Sequence, residues 1–122
     1  MRIFKTKAFE RLIEDAGFTD AELITAAGEV NRGEYEADLG SGVYKKRIAR
    51  SGAGKSGGYR FILYFRQDER LFFADMFAKS NQANIGPKVK RWYKKVAREY
   101  LGFTEDQLQA RLKDGWIKEI VP

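Results

Sequence analysis

The run Tyr59 to Phe65, Y-R-F-I-L-Y-F, is apolar on both alternating sides and interrupted only by Arg60. A strand of that kind needs cover on both faces, which places it in the middle of a sheet with other elements above and below. It follows directly on a glycine-rich turn holding Gly52, Gly54, Gly57 and Gly58 together with Lys55 and Ser56. Before that turn comes a basic extended stretch from Val43, carrying Lys45, Lys46, Arg47 and Arg50. The order is therefore strand, cationic loop, strand: a loop of unusual charge held between rigid elements, the arrangement on which binding and catalytic loops are commonly built.

Glycine lets backbone N–H groups approach a ligand closely, and such groups beside lysine and arginine suit an anion such as phosphate. Gly54, Lys55 and Ser56 match the second half of the nucleotide-binding pattern G-x-x-x-x-G-K-[ST]. Ala49 stands where its first glycine belongs, and the following segment reads as strand where that motif opens a helix, so a nucleoside triphosphate site is rejected. The plainer alternative is a hairpin with a long solvated loop.

The charge distribution favours a polyanion. The chain of 122 residues carries a net charge of +6, and residues 43–98 concentrate it, with 15 Lys or Arg against three acids, Asp68, Glu69 and Asp75. A basic centre between acidic ends is the footprint of a nucleic-acid binder. Lys45, Lys46, Arg47, Arg50, Ser56 and Tyr59 around the loop, with Lys88 and Arg91 further on, form the expected RNA-binding set. Cysteine and histidine are both absent, which removes disulfides, thiolate metal sites, His-based triads and a two-histidine ribonuclease mechanism. No metal site and no small-molecule cofactor is expected. The N-terminus lacks an apolar run of signal-peptide length and no stretch approaches the ~20 residues of a membrane span, so a cytoplasmic protein without membrane contact is expected.

In chain order, residues 2–5 suggest a short strand. Phe9, Leu12, Ile13 and Ala16 fall at helical spacing, with Gly17 as the stop. Thr19 and Glu22 form a capping box with Phe18 and Leu23 as its hydrophobic staple, opening a helix that buries Leu23, Ala27 and Val30. The two helices suggest an αα-hairpin. Glu34 to Leu39 is acidic and extended, and Gly40-Ser41-Gly42 turns it into the basic strand. Gln67 to Arg70 is a polar turn between apolar runs, the mark of an antiparallel connection. Asp75, inside the strand Leu71 to Phe77, is expected to pair with a neighbouring base. Pro87 opens a helix burying Val89, Trp92, Val96 and Tyr100, with Lys88, Arg91, Lys95 and Arg98 opposite and Lys90 and Lys94 flanking them, either as a solvated face or as phosphate contacts. Thr104 and Gln107 make a second capping box, and Trp116 to Val121 suggests an edge strand or docking tail. The expected fold is α+β: an N-terminal αα-hairpin on a small antiparallel sheet, then C-terminal helices. It forms one domain over 1–122, with 102–122 as a C-terminal extension.

Taken together, E-A-D-L-G-S-G-V-Y-K-K-R-I-A-R, G-K-S-G-G-Y-R and F-A-K-S-N-Q-A-N-I resemble the RelE/HigB-type toxins of bacterial toxin–antitoxin systems over roughly residues 1–101. The resemblance implies a RelE-like fold and an endoribonuclease that enters the ribosomal A site, cuts messenger RNA there and is neutralised by a cognate antitoxin. It also implies Lys55, Arg60 and Lys79 as catalytic residues. Asp75-Met76 departs from the aromatic and glycine expected before F-A-K-S. The C-terminal tyrosine that some members use for catalysis has no assigned counterpart, Tyr93 and Tyr100 being expected in the core.

The chemistry is feasible with these side chains. Cleavage by the 2′-hydroxyl needs a proton acceptor, compensation for charge on the phosphate, and a proton donor to the 5′-oxygen. Guanidinium stays protonated and grips two phosphate oxygens, which suits Arg60. A lysine moves protons only if its pKa falls from about 10.4, and crowding by like charges acts in that direction. Without histidine the enzyme alone should be weak, so the ribosome must arrange the RNA. Two other functions are compatible with the same basic surface: a non-catalytic RNA-binding module, and an inactive toxin homologue acting only as an interaction protein.

Overall fold

A computed structural model describes residues 1–49, 58–78 and 85–122. The elements are β1 (Arg2–Thr6), α1 (Lys7–Ala16), α2 (Asp20–Asn31), β2 (Ala37–Gly40), β3 (Val43–Ile48), β4 (Tyr59–Arg66), β5 (Arg70–Ala78), α3 (Pro87–Leu101), α4 (Glu105–Lys113) and β6 (Ile117–Ile120). They make a six-stranded sheet in the order β2-β3-β4-β5-β1-β6.

The sheet is mixed, which corrects the expectation of an antiparallel one. β2 to β5 form an antiparallel meander and β6 runs antiparallel to β1, but β1 lies parallel to β5, with Ile3 opposite Leu71 and Phe4 opposite Phe72. Parallel neighbours cannot be joined by a tight turn. After β1 the chain crosses the sheet through α1 and α2, begins the meander at the far edge and returns to β1 only with β5.

β4 is covered on both faces, as its composition requires. On one face Phe61, Leu63 and Phe65 pack with Phe73 of β5 against Phe9 and Ile13 of α1 and Leu23, Ala27 and Val30 of α2. On the other, Ile62 and Tyr64 pack with Phe4, Val43 and Phe72 against Tyr93, Ala97 and Leu101 of α3 and Leu108 of α4. Phe9 meets Phe61 edge-on with centroids 5.1 Å apart, the offset geometry that aromatic pairs favour.

Local signals set the helix ends. The Thr6 hydroxyl accepts from Phe9 N, and both capping boxes, Thr19 with Glu22 and Thr104 with Gln107, are formed in both directions. Gly17 closes α1 in the left-handed region at φ 73°. The buried stripe of α3 differs from expectation. Tyr93, Ala97 and Leu101 face the sheet, while Val89 is 45% and Trp92 60% exposed. Leu12 of α1 is exposed as well.

The β2–β3 turn passes through Gly40, Ser41 and Gly42 at φ 92°, 56° and 83°. A Cβ at Gly42 would lie 2.4 Å from Leu101 Cδ1, so this glycine serves both the left-handed backbone and the approach of α3. Gly42→Ala is expected to destabilise by about 2–4 kcal/mol, combining left-handed strain with overpacking. Gly33→Ala, also at positive φ but with nothing within 4 Å, is expected to show only the strain, about 1–2 kcal/mol. Denaturant midpoints measure both; equal effects would contradict the role given to Leu101.

Candidate nucleic-acid interface

Alternation along β3 divides its basic run between the two faces of the sheet. Lys45 and Arg47 lie on the α3 side with Val43; Lys46 lies on the α2 side with Tyr44 and Ile48. Lys46 Nζ sits 3.4 Å from Glu29 Oε1 and donates to the Glu34 carbonyl at 2.8 Å, and its side chain is only 12% exposed. It is held by the protein, unlike the free phosphate contact expected of it. Tyr59 also turns to that side, its ring edge-on to Phe18 at 5.5 Å. Its ring therefore lies on the opposite face of the sheet from Arg60.

On the α3 side, Arg60 of β4 stands directly opposite Arg47 of β3 and, across the other ladder, opposite Phe77 of β5. Like charges directly opposed on a sheet repel. Arg47 is exposed, whereas Arg60 is buried, only 5% exposed. The only carboxylate among the described residues that meets this group is Glu36, just before β2, with Oε2 2.6 Å from Arg60 Nε and Oε1 3.9 Å from Lys45 Nζ. The short contact is an ion pair without hydrogen-bond alignment: among the described residues, neither Nε–H nor Nη1–H of Arg60 has an acceptor. Leaving a buried donor unsatisfied costs about 1–3 kcal/mol. Arg60 and Lys45 thus share one acid, with Arg47 opposite Arg60, and among the described residues the innermost guanidinium has donors without an acceptor.

The ends of the two cationic segments come together here. Ile48 pairs with Tyr59 and Tyr59 with Ala78, so the chain leaves and re-enters the sheet at one end on either side of residues 50–57 and departs from it before residues 79–84. Arg50, Lys55, Ser56 and Lys79 themselves lie outside the described residues.

α3 adds cations along one flank. Lys94 lies within 3.5 Å of where a Cβ on Gly40 would be, and Arg98 Nη1 donates to Ser41 Oγ at 3.3 Å, which fixes this flank beside the β2–β3 edge. Arg91, three residues before Lys94, shares the flank. Lys88 projects further outward, and both are exposed without a carboxylate partner among the described residues. Lys90, expected beside this cationic side of α3, is exposed. It stands three residues before buried Tyr93 on the same helix.

Asp75 has a different partner from the base expected. An extra residue, Ala74, makes a bulge between the Leu63–Phe73 and Ile62–Asp75 pairs and turns Asp75 toward α3. There it accepts a 2.5 Å hydrogen bond from the Tyr93 hydroxyl. Burial, reinforced by this carboxylate, pushes the Tyr93 phenol far above the ordinary tyrosine range, and burial also raises Tyr100. Both rings pack in the α3-side core, as expected, and neither is a ready proton acceptor.

Among the described residues, no helix is long and apolar enough to cross a membrane. No curated protein matches the chain. The family model for the RelE toxin of the RelE/RelB toxin–antitoxin system matches residues 1–120, a span that takes in α4 and β6 as well as the signature stretches. The chain therefore belongs to the RelE toxin family.

Proposed function

We propose that residues 1–122 form a single toxin domain acting as an endoribonuclease on translated messenger RNA in the ribosomal A site, without a metal. The observation that carries this reading is the Arg60–Arg47 pair. A buried guanidinium whose donors lack an acceptor among the described residues, facing a second guanidinium and paired with one carboxylate, supports phosphate binding here. A phosphodiester supplies the missing acceptors and the missing negative charge together. Glu36 then acts as a placeholder: its side chain is one-third exposed and can turn to solvent when phosphate arrives.

In the proposed reaction the 2′-oxygen bonds to phosphorus as its proton passes to a lysine in its neutral amine form. The P–O5′ bond breaks, and the 5′-oxygen takes a proton from a second lysine. The products are a 2′,3′-cyclic phosphate and a 5′-hydroxyl. Arg60 compensates the charge on the phosphate, and Lys55 and Lys79 are assigned the proton transfers. Lys45, Arg47, Arg50, Ser56, Lys88 and Arg91 hold the RNA, joined by Lys90 and Lys94 of the same cationic helix. Positioning and electrostatics then dominate the acceleration, so a ribosome that arranges the RNA for in-line attack is part of the mechanism. The cognate antitoxin is assigned an acidic, amphipathic contact segment. This is supported by exposed Val89 and Trp92 lying among Lys88, Arg91 and Lys95 on α3.

Induction of the protein followed by mapping of messenger RNA ends is expected to show cuts that require translation. Alanine at Lys55, Arg60 or Lys79 is expected to lower cutting by about 10²–10⁴-fold, the weight of one proton-transfer or charge-stabilising group. Bound but intact messenger RNA would instead establish the non-catalytic module, and full toxicity would remove that residue from the site. Glu36→Gln is expected to tighten RNA binding several-fold at low salt while lowering stability by about 1–3 kcal/mol, less than for a fully buried pair because solvent screens Glu36. Fluorescence anisotropy and chemical denaturation check the two halves; unchanged or weaker RNA binding would rule out the placeholder role.

A further inference from the structure

A second aromatic and basic surface lies where α1 meets β6. Lys7 N donates to the Trp116 carbonyl at 2.9 Å, which ties the first turn of α1 to the residue before β6 and fixes the Trp116 backbone. The indole is nonetheless 56% exposed, with the Lys7 ammonium 5.6 Å from its centroid. Thr6, Lys7, Ala8, Arg11, Tyr100 and Trp116 line a groove of about 340 Å³.

The chemistry of this groove is specific. Lys7 and Arg11, four residues apart, project from one side of α1. Neither pairs with a carboxylate among the described residues, and Glu10 between them is turned away to Lys118 at 2.8 Å. No lining residue is acidic, and Ala8 is the only aliphatic one. A docked protein helix would want aliphatic walls for its apolar anchors. Flat rings beside unpaired cations are what single-stranded nucleic-acid sites combine: bases stack on the rings while the backbone follows the charge.

We propose that this groove binds single-stranded RNA, one base stacking on Trp116 and the adjoining phosphates meeting Lys7 and Arg11. This deepens the proposed function by giving the RNA a second hold, and it rests on that reading only in taking RNA as the ligand. α3 serves both surfaces, its first turns carrying Lys88 and Arg91 and its last turn Tyr100.

The test is a titration of the full chain with two 5′-fluorescein probes, a six-adenosine RNA and the same ribose–phosphate backbone without bases. The wild-type protein is expected to prefer the adenosine probe. Trp116→Ala is expected to weaken that probe about 5- to 150-fold, the weight of one base–aromatic stack, and to leave the abasic probe unchanged. Trp116→Phe is expected to keep most of the affinity, and Arg11→Gln to weaken both probes alike. Equal wild-type affinity for the two probes, or unaltered adenosine binding by Trp116→Ala, would overturn the proposal. So would equal losses on both probes in Trp116→Ala, with the fold shown intact by circular dichroism, since a stacking ring acts only on the probe that carries bases. Cleavage plays no part in the titration, so failure to find translation-dependent cuts would remove the enzymatic reading and leave the stacking result standing.

Discussion

The contact between Arg60 and Glu36 governs how this molecule is balanced. β4 is apolar on both faces from Tyr59 to Phe65 except at Arg60, and that side chain is buried in the sheet. A charge in such a place requires a partner, and among the described residues Glu36, from the edge of the sheet, serves both Arg60 and Lys45. The resulting surplus of positive charge is held in place by the two aromatic-rich layers on either side. Those layers hold the ends of β3, β4 and β5 in register, so the cationic segments depart from a rigid edge.

Much of this was legible from local chemistry. Capping boxes, the Gly17 stop and the Gly40-Ser41-Gly42 turn depend on neighbours within a few residues, and all three appear as read. The double cover of β4 followed from its lack of alternation. What failed depended on tertiary partners. β1 was recognised as a strand, but its parallel pairing with β5 comes from a crossover that no local signal encodes. The stripe on α3 was read through Trp92 because it is large and apolar; the helix instead buries the smaller Ala97 with Tyr93 and Leu101.

The candidate site divides in the same way. Arg60 was found because it interrupts an apolar run. The split of Lys45 and Arg47 from Lys46 is a plain consequence of period-two alternation, and reading Lys45, Lys46 and Arg47 as one charged cluster missed it. Glu36 was invisible because its partner stands 24 residues away on a strand two places over. Tyr93 was placed in the core correctly, but its bond to Asp75 depends on a bulge at Ala74 that the sequence does not announce. Membership of the RelE family, shown over residues 1–120, accounts for the length of the signature and leaves the assignment of individual roles to experiment.

If the Arg47–Arg60 pair is maintained for RNA and not for the fold, removing its outer charge should relieve the protein. The direct measurement is the unfolding free energy of the RNA-free protein with Arg47→Gln, at low ionic strength and again in high salt. The account predicts a variant more stable than wild type at low salt by about 0.2–1 kcal/mol, the scale of a cross-strand charge pair, with the difference fading as salt screens it. A variant less stable than wild type at low salt would mean that Arg47 supports the fold, and would contradict the account.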